Sequence, residues 1–304
     1  MASLTYPTIV REGTLTAEQI HTLLSNPTLL ARRVADLTSQ KFIADYLLAG
    51  RYTAAGGGVF YETGEEIFAD DAPEAIAPGA EYPHTVLTAG EIAAARTVKW
   101  GLSTDVTDEK IARMGIDVVN KALNRLANTV IRHVDSVAMG VITSKVTTSV
   151  ASAAWTTPGA LITALEAVRA ARAELGTGFD LSTVVLPSAA YAKVLGMLVD
   201  ANAFPRENGN PVTAGLPLNA FGFEWVTSPH VPGTDPLLID RTALGGMADE
   251  DLASPEFTTA SSSYVQAASN RHALRDAYEL RARRVTVPVV IEPLAGVRIT
   301  GTEL

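Results

Sequence analysis

Between Thr107 and Ser144 apolar side chains recur every three or four positions: Ile111, Met114, Val118, Ala122, Leu126, Val130, Val134, Val137 and Val141. Val119, Leu123, Ile131, Ala138 and Ile142 widen the stripe, and Lys110, Arg113, Asp117, Lys121, Asn124, Asn128, Arg132 and Asp135 fall on the other side. This period predicts one amphipathic helix of about ten turns, roughly 55 Å long at ~1.5 Å per residue. Thr107 reads as its N-cap, with Asp108 and Glu109 placed where the helix dipole favours negative charge. No proline interrupts the pattern, and Gly115 and Gly140 lie near enough to its ends to be tolerated. A rod of that length is a spine.

The flanks follow different rules. Helical patterns run from Thr16 to Leu24 and from Pro27 to Leu48, closed by Gly50. Residues 51–106 change in kind: Gly56-Gly57-Gly58 opens them and strand-like Val59-Phe60-Tyr61 follows. An acidic, proline-bearing middle contains Glu62, Glu65, Glu66, Asp70, Asp71 and Glu74, and alternation at Val98, Trp100 and Leu102 predicts a closing strand. Such a segment has too little apolar surface for a core of its own. It reads as a long excursion or as an arm that packs on a neighbour.

Beyond the spine, Thr157-Pro158 starts a helix and Gly176 sits at a C-terminal cap position. A strand at 182–186, a helix at 188–198, a Pro/Asn/Gly-rich loop at 200–222 and strands at 223–227 and 237–240 predict a mixed α/β unit with its own sheet. From about Ser263 onward the chain reads as β: Val285, Val287, Val289 and Ile291 share a face, and Pro288 marks an edge or bulge. This tail is expected to pack beside the spine and the strand at 97–103.

Composition narrows the function. The 304 residues hold no cysteine, which excludes disulfides, thiolate nucleophiles and cysteine-ligated metals. The net charge of −9 argues against gripping DNA phosphates as a main task, though not against enclosing nucleic acid. At 47% hydrophobic, with no apolar run long enough to cross a bilayer, the chain is expected to bury surplus apolar surface against copies of itself rather than in a membrane. No basic segment followed by an apolar one opens the chain, so no secretory signal is expected.

Candidate chemistry is sparse. His21, His84, His133, His230 and His272 share no metal-binding spacing, and neither a phosphate-binding lysine loop nor a nucleophile elbow is present. Asp70-Asp71 and Asp249-Glu250-Asp251 are the candidate paired carboxylates, both in polar, loop-like surroundings. Trp100, Trp155 and Trp225 read as core or interface anchors. No nucleophile, base and orienting group come together, so neither enzyme activity nor a cofactor is expected.

The order of parts resembles the major capsid proteins of tailed bacteriophages, whose fold is shared with encapsulin shells. Ala75–Pro83 is similar to that family's returning arm, and 97–109 to its entry into the spine. Leu216–Met247 is similar to the axial sheet, and Val289–Gly301 to the closing strand. The resemblance implies an α+β fold divided into an N-terminal arm and helix (1–50), an extended hairpin arm (51–106), the spine of a peripheral domain (107–149), a mixed α/β axial domain (150–260) and closing peripheral strands (261–304).

It further implies self-assembly, in the bacterial host cytoplasm, into pentamers and hexamers of an icosahedral virion shell. That shell would enclose double-stranded DNA without sequence-specific binding and meet portal, decoration and separate scaffolding proteins. Some family members crosslink an arm lysine to a neighbour; no lysine lies between Lys41 and Lys99, so no such crosslink is expected. Glu65, Glu66, Asp70 and Asp71 are the acidic candidates for contacts between subunits, with Arg281, Arg283 and Arg284 as basic partners. The alternatives are an encapsulin-like compartment and, from another class, a hydrolase or small-molecule binding protein using 249–251 and the 200–222 loop.

Overall fold

The computed structural model describes residues 15–38, 42–64, 75–76, 78–79, 81–82, 84, 90–201, 218–259 and 264–304. The fold is α+β, built on two sheets and a detached hairpin.

Three helices come first: α1 (Ala17–Ser25), α2 (Pro27–Thr38) and α3 (Ile43–Leu47). Thr16 and Gln19 cap α1 reciprocally, each side chain bonding the other's backbone amide. Strands β1 (Gly50–Thr53), β2 (Gly58–Thr63), β3 (Glu91–Arg96) and β4 (Val98–Thr107) lead into the predicted spine.

That spine is broken. It consists of α4 (Asp108–Met114) and α5 (Ile116–Lys145), separated by Gly115 at φ 62°, ψ −146°. A glycine in a conformation nearly closed to other residues ends one helix and starts the next at a new angle. Thr107 is extended but makes no side-chain cap, and the Asp108 amide instead donates to the Asp276 carbonyl at 2.9 Å. Because the axis changes at Gly115, the phase of the stripe changes too. Met114 is 54% exposed, and the buried line on α5 runs through Ile116, Val119, Leu123, Leu126, Val130, Val134, Ala138 and Ile142. Asp135, placed by the sequence pattern on the polar side, is buried. Gly115→Ala is expected to destabilise the subunit by about 1–3 kcal/mol through backbone strain alone, since a Cβ there would touch nothing. Urea unfolding checks it, and an unchanged midpoint would refute the strain.

After α5 come β5 (Ser149–Ala151), α6 (Pro158–Glu174), β6 (Thr183–Leu186), α7 (Ser188–Asp200), β7 (Leu218–Ala220), β8 (Phe223–Thr227) and β9 (Leu237–Ile239). The chain then returns through β10 (Gly245–Asp249), β11 (Thr258–Thr259), β12 (Gln266–His272) and β13 (Ala277–Val290), and ends its regular structure with β14 (Gly296–Thr300).

The fourteen-residue β13 organises the first sheet. Its first half pairs antiparallel with β12 and with β4, whose ladder runs from Ala277↔Thr107 to Thr286↔Val98. Its second half pairs with β10, which in turn carries β1 in parallel. Pro288 falls beyond the end of the β4 ladder, where its missing N–H is tolerated. Leu280, Ala282 and Val290 of β13 and Val106 of β4 pack with the buried line of α5 and with Ile20, Leu24, Leu30 and Leu47 of α1–α3 in one core.

The second sheet runs β5-β14-β9-β6-β8-β7. Its core joins Leu161 and Leu165 of α6, Val194 and Leu198 of α7, and Trp155, Phe223 and Trp225. Thr157 caps α6 through the Ala160 amide, and Gly176 follows its end at φ 68°.

Two strands lie apart from their expected neighbours. β10 is separated from β9 by only a few residues yet belongs to the first sheet. β14 crosses from the first sheet to the second, pairing with β5 and β9 instead of lying beside the spine. The tail therefore ties the two cores together, because Val297 and Ile299 of β14 are buried in the second one. Most of the 200–222 loop lies outside the described residues.

Candidate assembly interface

The hairpin β2–β3 stands apart from both sheets, paired from Gly58↔Arg96 to Thr63↔Glu91. Its two faces differ. Val59, Tyr61 and Ala95 pack against Val287, Val289 and Ile291. On the other face Phe60 and Ile92 are diagonal neighbours, 82% and 77% exposed. β3 escapes a sequence reading because Glu91–Arg96 has three consecutive alanines and little alternation.

The hairpin's base is clamped by Glu250. Its carboxylate accepts from the Gly57 amide at 3.1 Å and from the Thr97 hydroxyl at 2.7 Å, while the Thr97 amide donates to the Gly57 carbonyl at 3.0 Å. The Thr63 hydroxyl donates to the Ile291 carbonyl at 2.6 Å. The limb is therefore rigid at its root and bare at its outer face.

The acidic residues assigned to subunit contacts, Glu65, Glu66, Asp70 and Asp71, lie outside the described residues. Their basic counterparts are described, and each is already engaged within the chain. Arg281 meets Glu256 at 2.6 Å and Glu279 at 3.7 Å. Arg283 donates to Gln266 at 2.6 Å and to the Leu252 carbonyl at 3.0 Å, with its guanidinium 3.8 Å from the Phe257 ring centroid. Burial lowers the Arg283 pKa.

Arg284 is corrected outright. It is 0% exposed and donates to both oxygens of Asp249, at 2.8 and 2.9 Å, and to both of Asp45, at 3.0 and 2.8 Å. Burial alone would lower its pKa; hydrogen bonds and charge from Asp249 and Asp45 outweigh that and raise it. A side chain so enclosed cannot reach a neighbour. Alternation along β13 turns Arg281 and Arg283 to one face and Arg284 to the other, against α3.

The run 249–251, weighed as paired carboxylates, is likewise split among three structural tasks. Asp249 holds Arg284, Glu250 holds the hairpin, and Asp251 accepts from the Gln266 amide and the Thr259 hydroxyl. The nearby 251–259 loop forms an open hollow whose rim includes Asp251 and Gln266, both bonded to each other. Among the described residues no three His, Asp or Glu side chains converge as metal ligands, and no helix is long and apolar enough to cross a membrane.

Among the buried polar groups that sequence reading missed is Asp135 of α5. It accepts the Ala44 amide at 2.9 Å and so caps α3, whose own N-cap residue Phe42 offers no side-chain bond. Burial pushes its carboxyl up to about 6 despite that hydrogen bond. The signal was a lone carboxylate among Val130, Ile131, Val134, Val137 and Ala138.

The family model for phage capsid protein matches residues 90–299. The chain belongs to the phage capsid protein family. The match spans the hairpin's second strand, the spine, the second sheet and all of the first sheet but β1. Solved structures share the fold at low identity. The capsid of cyanophage P-SCSP1u superposes with a TM-score of 0.59 at 12% identity, over 82% of this chain and 85% of that one. A phage-related protein from Bordetella bronchiseptica RB50 gives 0.58 at 14%, over 90% and 97%. A virus-like particle from Pyrococcus furiosus gives 0.54 at 12%, over 89% and 98%. No curated protein sequence matches the chain. The capsid protein is thus a structural subunit, it assembles into the shell, and its place is the virion capsid.

Proposed function

We propose that the capsid protein closes into an icosahedral shell of pentamers and hexamers around a double-stranded DNA genome, with the arm at 51–106 laid over a neighbouring copy. The observation that carries this reading is the hairpin with Phe60 and Ile92 bare on its outer face. A clamped limb that leaves two large apolar side chains in water has a use for a second copy. In this reading 107–149 and 261–304 belong to a peripheral domain and 150–260 to an axial domain around the rings. Glu65, Glu66, Asp70 and Asp71 meet basic groups of the neighbour, with Arg281 and Arg283 as rim partners, Arg281 exchanging Glu256 and Arg283 the Gln266 oxygen for the neighbour's carboxylates. Assembly takes place in the bacterial host cytoplasm with separate scaffolding, portal and decoration proteins. The role is structural and not enzymatic.

Burying a large apolar side chain stabilises by about 1.5–3 kcal/mol. Removing two per contact is therefore worth more than a hundredfold in association. Phe60→Ser with Ile92→Ser is expected to leave the subunit folded by circular dichroism and to abolish closed particles in negative-stain images. Normal particle yield would reject the hairpin as the contact. Nuclease-protected DNA in purified particles separates a genome shell from a cargo compartment.

A further inference from the structure

We infer that the exposed face of α5 is a polyanion-binding surface that lies against the phosphate backbone of the enclosed duplex DNA. The inference rests on the reading of the shell as a DNA container. It names the surface and the chemistry of its partner.

Charge along this helix is lopsided. From Val118 to Lys145 the only carboxylate is Asp135, which is buried, whereas Lys121, Arg125, Arg132 and Lys145 are all exposed. Asp117 is exposed one turn before Lys121, but beyond it the line is basic only, the reverse of what a net charge of −9 leads one to expect. None of the four is paired with a carboxylate of the described residues. Some other cations are matched, Arg271 with Asp108, Arg281 with Glu256 and Arg169 with Asp180, whereas Arg172, Lys193 and Arg275 are as unpaired as the α5 set but scattered over different elements. Exposed positions between them include Asn124, Asn128 and Ser136, neutral side chains able to donate to phosphate oxygens.

Geometry agrees with a duplex. Lys121, Arg125 and Arg132 fall within about 40° of one another around the helix and span about 16 Å at ~1.5 Å per residue, roughly half a turn of B-DNA, while Lys145 lies off that line. At the N-terminal end α2 lies alongside, and Arg33, Lys121, Asn120 and Asn124 converge on a groove of about 360 Å³, which Asp117 also lines. The Nε of Arg33 is buried without a hydrogen-bond partner, while its Nη2 donates to Asn120 at 2.5 Å. The Nε is enclosed, so the groove offers a phosphate the exposed Lys121 ammonium, and Arg125 and Arg132 continue the line. Contacts to backbone phosphates carry no base information, so binding through them is independent of sequence and sensitive to salt.

The test uses full-length subunits before assembly and a fluorescent 30-base-pair duplex. Each cation released from a phosphate contact lowers the dependence of log K on log salt by about 0.9. Lys121→Gln/Arg125→Gln/Arg132→Gln is therefore expected to weaken binding at least tenfold and to reduce that slope by between about two and three. A charge-matched control away from the stripe, Arg172→Gln/Lys193→Gln/Arg275→Gln, is expected to bind as the wild type does. Equal binding by the stripe variant, or an equal loss in the control, overturns the assignment. Poly-glutamate displacing the duplex at matched charge would make the stripe an acidic-protein site and overturn it equally. Shells that form normally from a stripe variant with unaltered DNA binding refute this inference alone. A wild-type chain that never forms shells refutes the container reading instead.

Discussion

Arg284→Met is expected to destabilise the subunit by about 3–5 kcal/mol. The guanidinium is fully buried and makes four hydrogen bonds, two to Asp249 of β10 and two to Asp45 of α3, with the Phe42 ring 4.6 Å from its carbon. It therefore joins three separated parts of the chain: the last helix of the N-terminal group, the middle of the first sheet and the long strand β13. Methionine fills similar volume but leaves Asp249 without its cation, beside an Asp45 that keeps only Arg51 at 2.8 Å. The loss comes from that stranded charge more than from lost packing, and the distinction can be measured. Adding Asp45→Asn and Asp249→Asn to Arg284→Met is expected to recover the larger part of the stability, because a buried ion network replaced as a whole is often close to neutral. Urea midpoints of the single and triple variants decide it. A triple variant no more stable than the single one would show that shape, not charge, governs the junction.

The second large effect is a gain that depends on pH. Asp135 ionises at about 6 in the folded protein, against an ordinary 3.8, because burial between α5 and α3 disfavours its charge. Its folded pKa is raised, so between about 4 and 6 the folded state keeps a proton that the unfolded chain has released. For this group, stability is greatest below about 4, falls as pH rises through that window, and is lowest above about 6. The difference amounts to about 3 kcal/mol at most. Asp135→Asn keeps an oxygen to accept the Ala44 amide and cannot ionise. It is expected to stabilise the subunit by about 2–3 kcal/mol at pH 7.5 and by almost nothing at pH 4. Unfolding curves of wild type and variant at four pH values between 4 and 7.5 give the difference directly. A constant difference across them would rule out the titration. Other groups facing the site, Asp45 and Arg284, are common to both proteins and cancel from the comparison.

Much was legible in the sequence for physical reasons. A stripe with a period near 3.6 can be satisfied only by a long helix against a core, and Thr157-Pro158 and Gly176 mark helix ends wherever they occur. Alternation at Val98, Trp100 and Leu102 and at Val285, Val287, Val289 and Ile291 marks two strands, which the structure extends to 98–107 and 277–290. The absence of cysteine ruled out disulfides and thiolate chemistry from composition alone. The order arm, spine, mixed unit and closing strands was enough to suggest the capsid family.

The rest depended on which elements met. Gly115 reads as a tolerated glycine until β4 and the Asp276 carbonyl fix where α4 must lie, and the bend then rotates the buried face of α5. Asp135 and Arg284 look like surface charges because side-chain type is local, whereas burial is decided by the opposing element, here α3. The residues of 249–251 are neighbours in sequence, yet Arg284, the hairpin base and Gln266 draw their side chains apart. β14 leaves the spine's sheet because the second core has room for Val297 and Ile299, which no pattern within five residues can announce. Local periodicity therefore determined which elements exist and where most begin and end. Their pairing, the fate of each charge and the bare outer face of the hairpin were decided by contacts between residues far apart in the chain.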